Sequence, residues 1–173
     1  ADGGKDLVLT TTEEQIDITD AAITLGGATP ATDAIAATDA SGTTELTITN
    51  TGAGAPSTVT ITSGGAGAAL QKESTQALNV DVEGVNANNF TLIVADDANL
   101  NNGTAGTAGT LVLSANDAGN VEAQMGANLD GNVALEQASS ATGTAQVTFN
   151  GGTQAVNGDI VAINPGSTTD LDG

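Results

Sequence analysis

Short runs in which apolar residues alternate with Thr, Asn or acidic residues recur along this chain, punctuated by Gly, Asn and Asp. Successive side chains of an extended strand point to opposite faces, so a period of two specifies a strand with one buried face. In residues 44–49 and 57–62, Leu46, Ile48, Val59 and Ile61 fall on one face and Thr dominates the other. Similar runs predict strands at 6–10, 15–19, 22–25, 77–82, 90–94, 110–114, 144–149 and 159–163, with less regular alternation at 121–125 and 133–136. The Gly- and Pro-containing stretch 50–56 reads as the loop of a hairpin joining its two flanking strands. Two stretches have the composition of short helical turns: 31–38, opened by Thr29 and Pro30, and 68–76.

Many short strands at intervals of roughly 8–15 residues lead to an expected all-β fold, an antiparallel β-sandwich of jelly-roll or Ig-like type with short helical turns at most. A pattern Gly-Thr-x-x-apolar-x-apolar starts at Gly42 and returns loosely at Gly106 and Gly143. Those unequal spacings argue against a solenoid repeat. The expected organisation is one sandwich domain over 11–173, preceded by residues 1–10 as an N-terminal exchange strand.

Composition limits the chemistry. The 173 residues carry a net charge of −19, with 21 Asp and Glu against two cations, Lys5 and Lys72, and His, Cys, Arg, Tyr and Trp are all missing. Phosphate backbones are held by Lys and Arg, so nucleic acid is not an expected partner, and neither is an anionic membrane surface. No apolar run reaches the ~20 residues of a membrane-spanning helix, so membrane insertion is not expected. Without His or Cys the usual general bases and nucleophile pairs are unavailable, and the expectation is a protein that is not an enzyme. The carboxylate pairs Glu13/Glu14 and Asp96/Asp97 read as solvated surface charge. Aromatic content is limited to Phe90 and Phe149, which predicts a thin core that gains from association with further copies.

Oxygen ligands are abundant, which makes calcium the cofactor to consider, and divalent cations the partners. Asp96, Asp97, Asn99 and Asn101 form the densest local cluster, and the last three follow the alternating spacing of a calcium-binding loop. The carboxylate that should close such a loop is missing, since Ala108 stands there, and Asn and Asp are also ordinary turn residues. A glycine-rich start at 64–69 resembles a calcium β-roll repeat but has Ala69 in place of the ligating Asp. Asn89 and Asn102 each begin a glycosylation sequon. Near the N-terminus, Leu7, Val8 and Leu9 have strand character and are the candidate subunit interface, able to pair with an open sheet edge of a neighbouring copy. An ordinary edge strand within its own domain is the alternative.

The run Glu45-Leu-Thr-Ile-Thr-Asn-Thr-Gly52 followed by Ser57-Thr-Val-Thr-Ile-Thr62, in a chain rich in Thr, Ala, Gly, Asn and Asp, resembles bacterial or archaeal surface-layer proteins and extracellular matrix fibre subunits. That resemblance implies a structural role, with calcium as an associated cation. The expected function is a secreted or cell-surface structural subunit that assembles with copies of itself into a filament or lattice. Alternatives are a calcium-stabilised module of a larger adhesin or secreted surface protein, and a viral capsid or tail decoration protein.

Overall fold

The computed structural model describes residues 7–11, 15–19, 23–25, 35–37, 44–50, 57–63, 67–72, 78–101, 108–150, 154–163 and 168–170. In chain order the strands are β1 (Leu7–Thr11), β2 (Gln15–Thr19), β3 (Ile23–Leu25) and β4 (Ile35–Ala37). Then come three-strand turns of chain: β5 (Thr44–Asn50), β6 (Ser57–Thr62) and β7 (Leu70–Lys72); β8 (Leu78–Gly84), β9 (Phe90–Val94) and β10 (Ala98–Asn99). The next are β11 (Thr110–Ala115), β12 (Val121–Met125) and β13 (Leu129–Asp130); β14 (Asn132–Gln137), β15 (Ala145–Phe149) and β16 (Val156–Asn157). β17 (Ile160–Ala162) and β18 (Thr168–Asp170) begin another.

Every strand pairs in parallel with the strand one turn of chain away, never with its neighbour in sequence apart from β3 with β4. Three six-stranded sheets result. Sheet A is β1-β5-β8-β11-β14-β17, sheet B is β2-β6-β9-β12-β15-β18, and sheet C is β3-β4-β7-β10-β13-β16. From β5 onward the chain visits A, B and C in strict rotation, so each circuit is one coil stacked on the last. This is a parallel β-solenoid.

The expected antiparallel sandwich is therefore wrong, and so is the rejection of a solenoid. The strands at 44–49 and 57–62 do not form a hairpin: β5 lies in sheet A and β6 in sheet B. Alternation specifies which face of a strand is buried but not which strand lies beside it. Unequal spacing misled for a related reason. On sheet A, Leu46 pairs with Val80, Val80 with Leu111, Leu111 with Val133 and Val133 with Ile160, offsets of 34, 31, 22 and 27 residues. Only the strands must stay in register, and the connections between them vary in length. The two helical turns are also corrected: β4 and β7 lie inside those segments, and no helix occurs among the described residues.

Stacking in register places like on like. Leu46, Val80, Leu111 and Val133 form one buried column, while Ile48, Val82, Leu113 and Leu135 form another. From sheet B come Val59, Leu92, Ala123 and Val147, then Ile61, Val94, Met125 and Phe149. Sheet C contributes Ile35, Leu70, Ala98 and Leu129. All these side chains belong to one continuous apolar cluster. Parallel strands here keep the one-sided alternation usually associated with antiparallel sheets, because among the described residues no helix covers the outer face of a sheet.

Candidate functional site

The polar residues that punctuate the strands sit where the chain turns from one sheet to the next, and their side chains bond between coils. Between sheets A and B, Asn89 Oδ1 accepts the Asn120 N–H at 3.1 Å. Asn120 Oδ1 in turn accepts the Thr144 N–H at 2.9 Å and its hydroxyl at 3.0 Å. Between B and C, Asp97 Oδ1 accepts the Asn128 N–H and Nδ2, both at 3.1 Å, and Asn128 Oδ1 accepts the Ala155 N–H at 2.9 Å. Between C and A, Asn132 Oδ1 accepts the Asp159 N–H at 3.1 Å. One short side-chain carbonyl per corner thus satisfies a backbone donor one coil further on, where the ladder of the sheets is interrupted.

The residues singled out for calcium also bond between coils. Asp96 Oδ2 accepts the N–H and hydroxyl of Ser63, at 2.7 and 2.9 Å, on the preceding coil. Asp97 faces the following coil. Asn99 lies on β10 and donates from Nδ2 to Gln71 Oε1 at 2.7 Å, and Asn101 donates to Asp130 Oδ1 at 3.4 Å. The four side chains bond to coils on both sides of their own. Among the described residues no group of three or more Asp or Glu is placed to hold a metal ion. The alternating spacing that suggested a loop belongs to a corner and a two-residue strand. Asn89 of the first sequon is a corner residue, while Asn102, Glu13 and Glu14 lie outside the described residues.

Leu7, Val8 and Leu9 are on β1, the outermost strand of sheet A, in parallel register with Leu46, Thr47 and Ile48. At the opposite margin is β17. There the inward register position Ala162 is exposed and Ile160 only half-buried, although their partners Leu135 and Val133 are buried. Val161 and Ile163 are 50% and 48% exposed.

The outer faces differ in chemistry. Sheet C carries the row Gln71, Asn99, Asp130 and Asn157, with Asn157 Nδ2 donating to Asp130 Oδ1 at 2.7 Å. On sheet B, Glu122 accepts from the Thr148 hydroxyl at 2.7 Å and from Gln124 Nε2 at 3.2 Å. Sheet A gathers Glu45, Asp81, Glu83 and Glu136. Lys72 does not offset them: it is 1% exposed on the inward side of sheet C, with Nζ 3.4 Å from the Asn101 carbonyl oxygen. Burial lowers its pKa, and Asp130 partly opposes that effect.

Sequence reasoning missed sheet C almost entirely. β4, β7, β10, β13 and β16 are two or three residues long, too short to display a period. The signal available was an apolar residue followed by an amide or Asp, repeated as Leu70-Gln71, Ala98-Asn99, Leu129-Asp130 and Val156-Asn157. No protein-family model, curated protein or solved structure matches this chain.

Proposed function

We propose that this protein is a non-enzymatic structural subunit of an extracellular filament or surface lattice, extended by stacking coil upon coil. The observation that carries this reading is the solvent exposure of inward register positions on β17. Ala162 and Ile160 occupy inward positions yet keep solvent exposure, where the residues below them are buried. A further coil laid on that margin would bury them and pair the strand edge. An edge strand readily accepts such a partner.

A second copy can supply that coil from its β1 margin, bringing Leu7, Val8 and Leu9 onto the sheet A edge of its neighbour. Such a head-to-tail contact uses two different surfaces, so it propagates into an open filament unless the rotation happens to close a ring. The net charge of −19 opposes this at low salt. At physiological ionic strength screening acts over ~8 Å, which permits association. The acidic, Cys-free, Thr- and Asn-rich composition favours an extracellular setting.

Electron microscopy and sedimentation of the purified protein at 10 and 150 mM salt test the assembly. Filaments are expected at the higher salt. Ala162→Asp, and separately removal of residues 1–11, should each leave a folded protein by circular dichroism that no longer polymerises. A strictly monomeric wild type across salt and protein concentration would sink the proposal.

A further inference from the structure

Asp81 stands in an unusual place for a carboxylate. It lies mid-strand on β8, on the outer face of sheet A, between Thr47 of β5 and Val112 of β11. Its Oδ1 is shielded from solvent and has no hydrogen-bond partner among the described residues. The remaining register positions of its row, Val8, Ala134 and Val161, are apolar residues. Among the described residues the charged groups around it are all of its own sign: Glu45 on β5, Glu83 two residues along β8, and Glu136 on β14. β11 contributes only Thr110, Val112 and Ser114 to that face. Thr49 donates to Glu83 at 3.4 Å, which leaves Asp81 as the carboxylate with an unsatisfied oxygen.

We propose that this row is an acid-responsive lock, in which proton uptake at Asp81 tightens the stacking of β5, β8 and β11. The stacked coils then hold together more firmly in acidic surroundings than at neutrality. Taking one charge out of the row removes both the cost of a shielded, unpaired anion and its repulsion with three neighbours.

The electrostatics of the row point the same way. Burial first, then Glu83, Glu136 and Glu45, push the Asp81 pKa from 3.8 up to about 6. An acid whose folded pKa is raised binds its proton more tightly when folded. Its contribution is therefore most favourable below 3.8, declines as pH rises from 3.8 to about 6, and is constant above that. Because Asp81 is only half-buried, solvent screening reduces the effect to about tenfold in the folding constant.

Urea unfolding followed by circular dichroism, from pH 7.5 to 4.5 in 150 mM salt, tests the lock. The wild-type midpoint should stay level above about pH 6 and climb in one step as pH falls from there to 4.5. Asp81→Asn should match or exceed wild type at pH 7.5 and lose that step, retaining only a shallow drift from the other carboxylates. Glu122→Gln, on sheet B, should keep the step. An unchanged step in Asp81→Asn overturns the proposal. Should that variant fail to fold, NMR titration of the Asp81 carboxyl carbon in the wild-type protein decides. A midpoint near 6 upholds the lock, and one near 4 removes it.

Discussion

At the scale of single residues, stability depends on how closely one coil sits on the next. A Cβ built on Gly143 would lie 2.0 Å from the Gly119 carbonyl oxygen, and one on Gly119 would lie 2.0 Å from that of Asn88. Real side chains do not approach a backbone atom so closely, so the coils would have to part at that corner. Gly143→Ala should cost about 2–4 kcal/mol of unfolding free energy, read from urea denaturation. The corner acceptors give a second expectation. Asp97→Ala removes the partner of both the N–H and the amide of Asn128 and should cost about 1–2 kcal/mol. Asp97→Asn keeps an oxygen there and should stay near wild type in the presence of chelator. Were Asp97 a calcium ligand instead, the Asn variant would lose a calcium-dependent rise in Tm that the wild type shows.

Elements are held by burial on one face and polar rows on the other. A column such as Leu46–Val80–Leu111–Val133 crosses coils ~4.8 Å apart, so one truncation affects the coils on both sides. Phe90→Ala, a fully buried ring on sheet B, should cost about 3–5 kcal/mol. Lys72 is the exception on the inward side of sheet C. Burial disfavours its charged form, so Lys72→Met, similar in volume and with no charge to desolvate, should fall within about 1 kcal/mol of wild type or exceed it. A large loss measured by thermal denaturation would show that the ammonium's bonds outweigh its burial. The strands of sheets A and B were largely legible in the sequence because four to seven alternating residues display a period. Sheet C was not, β3 apart: β4, β7, β10, β13 and β16 are two or three residues long, with an inward residue such as Leu70 or Leu129 amid the Gly, Asn and Asp of the corners.

For the whole molecule, the repeated circuit of three sheets places β1 and β17 at the two margins of sheet A. The proposed filament and its salt dependence belong to this scale, because they rest on net charge and on the exposed inward positions of β17 together. So does the acid response: four carboxylates reach one face only when β5, β8 and β14 are stacked, far apart as they are in the chain. The candidate calcium residues belong to this scale too: Asp96, Asp97, Asn99 and Asn101 each bond to a different neighbour on the coils above and below.

Alternation alone determined that the chain is all-β and which side chains turn inward, because the direction of successive side chains along an extended backbone is a local property. Leu46, Ile48, Val59 and Ile61 are buried as their spacing requires. Composition determined that His- or Cys-based chemistry has no residues to use. Which strand lies beside which was decided only by the tertiary structure. A strand's edge carries the same N–H and C=O groups whatever its sequence, and its partner here lies 22 to 39 residues away along sheet A, past connections of unequal length. The parallel solenoid, its third sheet, the corner ladder and the acidic row all depend on that pairing.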